Sequence, residues 1–588
     1  MVKNAEIAKI LYELAMLYEM KGVPFKPRAL ERASETIDSL ARDVADIYKK
    51  GGVKELQKIP GVGLGIAEKI EEYLKSGHVK EYENMKKKFP VDIAGLSSIE
   101  GVGPKHIAFL YEKLKIKTVS DLERAAKAGK LRGLPRMGEK LEAKILKGIA
   151  FKHEWGGRFG IGEVLPLARS LKARLSKIPG VETIEIAGSI RRWQETIGDL
   201  DFLVISESPE IITNAFSKIP EVDHVYAKGP TKVMVRLKTG IDADLIVLPK
   251  KSFGAALQYF TGSKDHNVEV RKLAVKKGWS LNEHGLTKGK KVIASETEKE
   301  IYKKLGMPQV PPPEIRLNKG EIEAALASKL PHLIEYGDLK GDLQIQTSWT
   351  DGKNSIEEMA REAERLGYEY IAITDHTRSL AMTGGADEKK LERQMAEIEK
   401  INAKFKKQNS KLTILKGAEV NIMKNGSLDI DDKTLAKLDV VGAAVHSLFN
   451  LSREEQTARI IKAMENPNVD IIFHPTGRII NKRKPYEVDM EKIIKAAKRT
   501  KTILEIDAHP WRLDLKDEHI RMAREAGVKM VIDTDAHSVP EMHYLEYGIA
   551  QARRAWCEKK DIINTLPLKE FLKALKQFDF LTVVYTIL

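Results

Sequence analysis

The chain has one cysteine, Cys557, in 588 residues, so no intramolecular disulfide can form and a reducing, cytoplasmic environment is expected. It has no run of about 18 consecutive apolar residues, which argues against a membrane-spanning helix. The first residues, MVKNAEIAKILYEL, lack the apolar core and cleavage site of a signal peptide and are typical of an amphipathic helix. Glycine (42) and proline (23) are too scarce for extensive disorder. These absences favour a globular cytoplasmic protein.

Positive charge is concentrated in the first half of the chain. Residues 1–320 carry a net charge of +16, whereas residues 321–588 carry −1. The basic half is where a polyanion is expected to bind, although a solvated, lysine-rich surface would give the same total. The length exceeds what one hydrophobic core serves and predicts about three to five domains.

The pattern of apolar residues changes along the chain. Residues 1–150 consist of short amphipathic helical runs broken by glycine and proline. From about residue 160, helices (163–177, 210–218) alternate with strands, namely VETIEIA (181–187), LDFLVIS (200–206), TKVMVRL (231–237) and IDADLIVL (241–248). The proline-rich segment 306–320 predicts a semi-rigid linker. After it, short apolar strands alternate with amphipathic helices, which predicts a parallel β/α barrel. The seven apolar runs are GDLQIQ (341–346), YIAIT (370–374), ILKGAEV (414–420), LDVVGAAV (438–445), DIIFH (470–474), TILEID (502–507) and VKMVIDTD (528–535).

A motif is repeated in the N-terminal third. LQKIPGVGLGIAEKI (56–70) and LSSIEGVGPKHIAFL (96–110) share Gly-Val-Gly before an amphipathic helix, with glycines at 61, 63, 101 and 103. LRGLPRMGEKLEAKI (131–145) is a weaker copy that keeps only Gly138. Such turns let a helix N-terminus approach a backbone phosphate without a side chain in between. The copies resemble helix-hairpin-helix motifs, and we predict that they bind DNA.

Acidic residues at strand ends indicate a site for divalent cations. In IAGSIRRWQETIGDLDFLV (186–204), Asp199 and Asp201 lie two apart on a strand and share one face. IDADLIVLP supplies a third carboxylate from Asp242 or Asp244. Paired carboxylates repel one another unless cations bridge them. A surface-exposed acidic strand edge is the alternative.

The turn before these aspartates is suited to a triphosphate. Gly188 and Ser189 end a strand and can open a helix, with Arg191 and Arg192 next to them. Together with the carboxylates, this arrangement predicts two-metal phosphoryl transfer to a 3′-hydroxyl.

These residues resemble the nucleotidyltransferase signature of the family X DNA polymerases, and the resemblance extends over residues 1 to about 318. The block LQYFTGSKDHNVEVRKLA (257–274) matches the family's nucleotide-selection motif. The resemblance implies that Asp244, rather than Asp242, is the third catalytic carboxylate. It implies nucleotide-binding roles for Gly188, Ser189, Arg192, Tyr259, Phe260, Gly262, Asn267 and Arg271.

In family members with deoxyribose-phosphate lyase activity, a lysine in the first hairpin forms a Schiff base. Lys69 occupies that position, but Arg32 and Gly65 stand where lysines of the phosphate pocket are usual. Lys69 is therefore a lyase candidate, and a DNA-facing lysine on a helix is the alternative.

From residue 339 the chain resembles the PHP (polymerase and histidinol phosphatase) domain of bacterial and archaeal family X polymerases. Candidate metal ligands stand at strand ends: Asp351, His376, Glu419, His446, His474, Asp535 and His537. They suit Zn²⁺, Mn²⁺ or Fe and phosphoester hydrolysis. The usual His-x-His pair is replaced by Gln344 and Gln346, so the first metal position keeps only Glu419 and Asp535. The sets Glu419/His446/His474 and Asp351/His376/His537 are complete.

We therefore expect a multidomain chain with helical hairpin domains, an α+β palm and thumb, and a C-terminal PHP β/α barrel. The expected segments are a lyase-like domain (1–80), a fingers-type domain (81–150), a palm (151–255), a thumb-type subdomain (256–318), a linker (319–338) and the PHP domain (339–588). The apolar tail FDFLTVVYTIL is expected to be a last strand on the barrel, with a partner-binding peptide as the alternative.

The leading hypothesis is a monomeric, cytoplasmic, gap-filling DNA polymerase of repair. It would use dNTPs with Mg²⁺ or Mn²⁺ and carry a PHP domain whose 3′–5′ exonuclease or phosphoesterase activity is weak or absent. Gapped or primer-template DNA is the expected partner. A second hypothesis makes the PHP domain the main catalyst, as a 3′-processing nuclease or phosphatase. A third is a non-enzymatic scaffold that binds DNA ends through the hairpins.

Overall fold

The computed structural model describes residues 2–38, 40, 43–59, 61–97, 99, 102–135, 137–154 and 157–575. Two compact units are present. The first comprises the described residues of 1–157 together with 481–483, and the second comprises those of 158–480 and 484–588. In these ranges no helix is both long and apolar enough to cross a membrane.

The first unit is helical apart from its turns. Its helices are α1 (Val2–Met20), α2 (Lys26–Asp38), α3 (Val44–Leu56), α4 (Leu64–Ser76), α5 (Lys80–Lys88), α6 (Ile93–Ser97), α7 (Pro104–Leu114), α8 (Val119–Lys127) and α9 (Glu139–Glu154). Their apolar faces converge on one core that includes Leu14, Leu17 and Ile70. A glycine or a polar N-cap residue precedes α3, α4, α7 and α8 and determines where each of these helices begins.

The second unit begins with a five-stranded sheet, the palm. Its elements are β1 (Phe159–Gly160), α10 (Ile161–Leu175), β2 (Thr183–Ile186), α11 (Gly188–Arg191), β3 (Thr196–Ile197), β4 (Asp199–Ile205), α12 (Pro209–Phe216), β5 (Val222–Lys228), β6 (Lys232–Leu237) and β7 (Asp242–Leu248). The strand order is β2-β4-β7-β6-β5, and β1 pairs with β3 separately. Leu200, Phe202 and Val204 pack in the core with α10 and α12, so Asp199 and Asp201 lie on the opposite face of the strand.

A thumb-type subdomain follows the palm. It contains α13 (Phe253–Thr261), α14 (Lys264–Lys276), β8 (Ser280–Asn282), β9 (Gly285–Lys288), β10 (Lys291–Ala294), α15 (Glu298–Leu305) and α16 (Glu321–Leu326). The proline-rich segment 306–320, predicted to be a semi-rigid linker, packs against this subdomain, because Ile315 and Arg316 are buried. Just after it, the Glu321 carboxylate lies 2.6 Å from His266 Nδ1. Segment 306–326 is therefore fixed to the subdomain rather than suspended between domains.

The rest of the second unit is a nearly closed barrel of seven parallel strands. These are β11 (Gly341–Ile345), β12 (Tyr370–Ile373), β13 (Thr413–Asn421), β14 (Val440–Ala444), β15 (Ile471–Ile472), β16 (Ile503–Asp507) and β17 (Met530–Asp533), hydrogen-bonded in that order. Its helices are α17 (Ile356–Leu366), α18 (Glu388–Lys407), α19 (Asp432–Leu435), α20 (Arg453–Met464), α21 (Met490–Thr500), α22 (Asp517–Ala526), α23 (Leu545–Arg554) and α24 (Leu568–Ala574). The N–H of Gln346 donates to the Ala536 carbonyl at 2.8 Å, and the N–H of Ala536 donates to the Gln344 carbonyl at 3.2 Å, which brings the first and last strands together.

Short 3-10 helices occupy connections of the second unit at Lys250–Ser252, Pro313–Ile315, Ala381–Thr383, Val539–Tyr544, Lys559–Asp561 and Ile563–Thr565. The predicted fold class is confirmed, including a strand in each of the seven apolar runs of the barrel. The sequence pattern missed β5, because its residues lie at the sheet edge and are mostly exposed. The apolar tail, residues 578–588, lies outside the described residues.

Candidate functional site

The acidic residues of the palm meet on one face of the sheet. Strand β4 pairs in parallel with β7, so that Asp199 is opposite Asp242 and Asp201 is opposite Asp244. Partners across a parallel pair share a face, which brings all four carboxylates together. Burial, Asp199 and Asp244 raise the pKa of Asp201 to about 7. Such a concentration of negative charge is what bound divalent cations would relieve.

The two candidates for the third carboxylate differ in their surroundings. Asp242 is held by the Arg236 guanidinium, with Nε at 2.6 Å, and Arg236 is itself fixed by the Tyr226 hydroxyl at 2.9 Å. Asp244 pairs, among the described residues, with the Lys232 amine at 2.9 Å, and lies directly opposite Asp201. A lysine side chain can swing away more easily than a guanidinium held at several points. These contacts support Asp244 as the ligand.

Gly188 joins the phosphate turn to the catalytic strand. Its φ of +66° is a left-handed conformation that favours glycine. A Cβ there would lie 2.4 Å from Oδ2 of Asp201, closer than any real contact allows. The backbone N–H of Ala187 also donates to the Asp201 carbonyl at 2.9 Å. The turn and the carboxylate are therefore in direct contact, and no larger residue fits at 188.

Buried donors follow this glycine. Ser189 Oγ and Arg192 Nε find no hydrogen-bond partner among the described residues. Burial and the neighbouring Arg554 lower the pKa of Arg192 to about 10. Arg191 is different, because Glu298 holds it at 2.8 Å. Unpartnered buried donors are costly, and an anion such as a triphosphate would satisfy them.

The predicted nucleotide-selection residues lie on the adjoining helices. Tyr259 and Phe260 end α13 with their rings edge to face, 5.2 Å apart. The side-chain amide of Asn267 bonds inward, donating to the Tyr259 carbonyl and accepting from Gln258, each at 2.7 Å. Arg271 Nε donates to the Asn267 carbonyl at 3.3 Å.

The loop between these helices returns to the phosphate turn. Gly262 follows α13 directly, and an added Cβ there would lie 3.0 Å from Nη1 of Arg192. Arg192 also donates to the carbonyl of Thr261. The structure thus brings together the predicted nucleotide residues from residues 188–192 and 259–271.

Three turns of the first unit share one backbone geometry. The N–H of Val62 donates to the Ile59 carbonyl, that of Val102 to Ile99 and that of Met137 to Leu134, at 3.0, 3.0 and 3.1 Å. A glycine follows in each copy, at 63, 103 and 138, and a helix begins immediately after it. The weak third copy in the sequence is therefore a full structural copy.

The glycines before the helices lie beside open space. A Cβ added to Gly63, Gly103 or Gly138 would meet no atom within 4 Å. Gly61 differs, because its φ is +78° and Arg32 lies 3.6 Å from the position of a Cβ. Gly101 lies outside the described residues. The space beside the three glycines is thus open, as a close approach of a phosphate to the helix N-terminus requires.

Lys69 lies on α4 beside acidic and basic neighbours. Its Nζ is 2.7 Å from Oε2 of Glu81 and 3.2 Å from the Gly65 carbonyl. Burial and the charge of Lys26 lower the pKa of Lys69. A lowered pKa leaves more of the amine neutral, which is the form that attacks an aldehyde.

The predicted PHP ligands converge at the carboxyl ends of the barrel strands. Asp351, His376 and His537 form one group, and His376, Glu419 and His446 form another, each with ligand atoms within 4.8 Å of one another. His376 belongs to both, with Nε2 3.7 Å from Asp351 and Nδ1 3.1 Å from Glu419. Imidazoles and carboxylates at these separations fit divalent transition metals.

His474 contacts the same bridging carboxylate. Its Nε2 lies 2.8 Å from Oε1 of Glu419, and Nε2 of His446 is 3.1 Å from that oxygen. The residues of the predicted set Glu419/His446/His474 thus lie around one carboxylate oxygen. The group whose ligand atoms all lie within 4.8 Å of one another contains His376 instead of His474. Burial would lower the pKa of His376, but Glu419 raises it to about 9.

The residues at the first metal position do not fit a metal ion. Gln346 turns its amide toward the site, and Nε2 donates to Oε2 of Glu419 at 2.8 Å. Both polar atoms of the Gln344 side chain are buried without a partner among the described residues. Arg512, which sequence analysis missed, lies with Nε 3.3 Å from Oδ2 of Asp535. The Arg512 guanidinium and the Gln346 amide therefore already contact the two carboxylates that a metal ion at this position would need.

A set of buried acids beneath the site was also missed. Burial raises the pKa of Glu505, Asp507 and Asp533 well above the usual range. Nearby carboxylates raise each pKa further: Asp507 and Asp533 act on Glu505, Asp535 acts on Asp507, and Asp342 acts on Asp533. They lie on β16 and β17, where EID and VIDTD in the sequence were taken only as strands. Acidic residues within an apolar strand are the signal that could have identified them.

Family models match four parts of the chain. A helix-hairpin-helix domain matches residues 2–79, and a SAM-like helix-hairpin-helix tandem matches 93–150. The DNA polymerase beta thumb matches 256–316, and the PHP domain matches 342–512.

Known relatives agree with these matches. The DNA polymerase/3′-5′ exonuclease PolX of Bacillus subtilis is 36% identical over 98% of this chain and 99% of its own length. DNA polymerase lambda of Rattus norvegicus is 27% identical over 53% of this chain and 56% of its own. A probable phosphatase of Thermoanaerobacter sp. (strain X514) is 34% identical over 38% of this chain and 90% of its own. The chain therefore belongs to the family X DNA polymerases that carry a C-terminal PHP domain.

Proposed function

We propose that this DNA polymerase fills short gaps in DNA, with Asp199, Asp201 and Asp244 as the ligands of Mg²⁺ or Mn²⁺. One observation carries the proposal: these carboxylates share a sheet face with a glycine turn that presents unpartnered donors of Ser189 and Arg192. Bound divalent ions would activate the primer 3′-hydroxyl and stabilise the leaving pyrophosphate.

The protein side chains have separate tasks in this proposal. Ser189 and Arg192 bind the triphosphate, and Gly188 allows it to approach the carboxylates. Tyr259 and Phe260 form a flat surface against the incoming sugar. Asn267 must exchange its present bonds to Gln258 and Tyr259 for the edge of the nucleotide, so binding would be coupled to a small movement of α14.

Primer extension on gapped DNA tests this function. The substrate should carry a one-nucleotide gap, with and without a 5′-phosphate at its downstream end. We expect template-directed addition of the complementary nucleotide in the presence of Mg²⁺ or Mn²⁺. Failure to add any nucleotide with either ion would contradict the proposal.

We expect Gly63→Ala combined with Gly103→Ala to weaken binding to gapped DNA about tenfold or more, since a methyl group at each turn keeps the phosphate from the helix N-terminus. Both glycines have ordinary negative φ values and open space, so the fold should not change. The measurement is fluorescence anisotropy with labelled gapped DNA at several salt concentrations.

Gly337→Ala is the matched control, because that position also has open space but lies in the second unit. Wild-type binding should weaken steeply with salt and show little sequence preference. Binding that ignores ionic strength, or a double variant that binds normally, would argue against the role of the hairpins.

We further propose that Lys69 can act as a Schiff-base nucleophile on an abasic 5′-deoxyribose phosphate, because its pKa is lowered. Borohydride should trap the wild-type chain covalently on such DNA, while Lys69→Ala should lose about nine-tenths or more of the adduct. Lys75→Ala is the control, since Lys75 lies on the same helix but is more exposed. Equal trapping of Lys69→Ala and wild type would leave Lys69 as a DNA-facing lysine.

For the PHP domain we propose weak, Mn²⁺-dependent 3′–5′ exonuclease or phosphoesterase activity. The two intact groups can hold ions, whereas Gln346 and Arg512 obstruct the first position. A chain that acts mainly as a 3′-processing nuclease is the competing function. Comparing the rates of nucleotide addition and of 3′-end removal on one substrate distinguishes the two.

A further inference from the structure

A short segment connects the phosphate turn to the catalytic strand of the palm. It runs from Arg192 to Ile197 and is tightly wound, since the N–H groups of Trp193 and Gln194 donate back to the carbonyls of Ile190 and Ser189, each at 3.0 Å. Asp199 follows two residues after its end. A displacement of this segment would therefore move the triphosphate donors and the metal-binding carboxylates relative to each other.

The barrel domain holds this segment through a buried ion pair. Glu195 accepts hydrogen bonds from the two terminal nitrogens of Arg478, at 3.1 and 2.8 Å, and from Gln551 Nε2 at 2.7 Å. Glu195 and Arg478 are each only 8% exposed. Burial alone would raise the pKa of Glu195, but Arg478 and Arg554 lower it to about 2. The carboxylate is thus charged, and removing Arg478 would leave it buried without its ion-pair partner, with Gln551 as a neutral hydrogen-bond donor.

A second contact fixes the same segment. Arg554 of α23 donates to the backbone carbonyl of Trp193 at 3.0 Å, while Asp517 holds its other terminal nitrogen at 2.8 Å. The Trp193 ring packs edge to face on Tyr547, with centroids 5.8 Å apart. Both the backbone and the side chains of the segment are therefore bound by the barrel domain.

Arg478 comes from the end of the barrel that carries the PHP ligands. It follows His474 by four residues and also donates to the carbonyl of Leu513. The loop containing Leu513 packs closely on the palm, because a Cβ on Gly162 would lie 2.5 Å from Pro510. One ion pair thus connects the loops of the PHP site to the palm segment.

We propose that Glu195, held by Arg478, is a positioning residue for nucleotidyl transfer, so that the PHP barrel forms a structural part of the nucleotide-binding site. The inference rests on the polymerase function proposed above. Glu195 acts without touching substrate: it sets the segment that places Ser189 and Arg192 against Asp199. A barrel domain lacking hydrolytic activity would still be required for polymerisation.

The test uses the full chain on single-nucleotide gapped DNA. Arg478→Met keeps the bulk of the side chain but removes its charge. We expect the KM for dNTP to rise, or kcat to fall, by about tenfold to a hundredfold, because small misplacements of reacting groups have effects of this size. The Kd for DNA should stay within about twofold of wild type, since the hairpins are untouched.

Two further variants separate positioning from general stability. Glu195→Gln with Arg478→Met removes the unpaired buried charge, so the melting temperature should recover toward wild type while the KM for dNTP stays raised. Glu546→Gln is the control, because Glu546 also pairs across the palm–barrel contact, with Arg169 at 2.7 Å, but contacts neither Glu195 nor Arg478. Its polymerase activity should match wild type.

Arg478→Lys keeps the charge and should give a KM for dNTP between those of wild type and Arg478→Met. If Arg478→Met fails to fold, Arg478→Lys is the variant that tests the positioning role. The proposal is overturned if the folded Arg478 variant has wild-type KM and kcat, or if Glu546→Gln shows the same loss. It is also overturned if activity recovers with stability in the double variant. A wild-type chain that adds no nucleotide would instead contradict the polymerase function, and this inference with it.

Discussion

Replacing Asp199, Asp201 or Asp244 by alanine should each abolish nucleotide addition on gapped DNA, with a loss of about 10³-fold or more. Each variant removes a carboxylate from the shared face of β4 and β7. A missing ligand withdraws several kcal/mol of charge stabilisation from the transition state, and about 4 kcal/mol corresponds to this loss. Single-turnover rates with saturating dNTP and Mg²⁺ are the measurement.

Asp242→Ala is the matched control, because it lies on the same strand and face, two residues from Asp244. Its Arg236 partner already neutralises it, so we expect an activity loss of less than about tenfold. DNA affinity should be unchanged in all four variants, which separates loss of chemistry from loss of binding. Full inactivation by Asp242→Ala with an active Asp244→Ala would show that the wrong residue had been assigned.

The parts of the polymerase site that sequence could predict are those that local spacing determines. Asp199 and Asp201 share a face in any strand, so their pairing required no tertiary information. Local spacing could not choose between Asp242 and Asp244, because both lie on the same face of β7, and the prediction of Asp244 rested on the resemblance to family X polymerases. What distinguishes them is Arg236, which lies on a neighbouring strand and contacts Asp242 but not Asp244.

Glycine patterns carried partial information about the hairpins. The first two copies were evident, but the third has lost one glycine and appeared weak. The structure shows that it still forms: the N–H of Met137 donates to the Leu134 carbonyl, in the same turn as in the other two copies. Backbone geometry is kept here by apolar residues that a glycine motif does not include.

Contacts between distant segments could not be predicted from the sequence. Glu195 and Arg478 are 283 residues apart and appear in the sequence as ordinary charged residues. Arg512 follows a proline and a tryptophan in a loop with no ligand pattern, yet it lies against Asp535. The packing of whole domains brings these charged residues into contact, and the local pattern of apolar residues in the sequence does not predict such contacts.

The barrel strands illustrate the opposite case. All seven were predicted, because strands of a parallel barrel are buried on both faces and appear as nearly continuous apolar runs. Their carboxyl ends were therefore known, and with them the positions of Asp351, His376, Glu419, His446, His474 and Asp535. Which of these share a metal was not known, since it depends on the tilt and closure of the barrel.

Restoring the missing histidines, as Gln344→His with Gln346→His, should raise both metal content and hydrolysis in the PHP domain. In the wild-type chain an amide donor occupies one oxygen of Glu419, so we expect the first position to bind metal poorly and 3′-end removal to be slow. The double variant replaces that donor with an imidazole ligand and should gain about one ion per chain, together with a tenfold or larger increase in Mn²⁺-dependent hydrolysis.

Metal content measured by mass spectrometry after dialysis, and release of 3′ nucleotides from a labelled primer, are the two readouts. Nucleotide addition should not change, which serves as the internal control. Gln408→His, on the distant end of α18, controls for an added histidine as such. If the wild-type chain instead removes 3′ nucleotides rapidly, and His446→Ala or His474→Ala stops it, then the first metal is dispensable and the glutamines do not weaken the site.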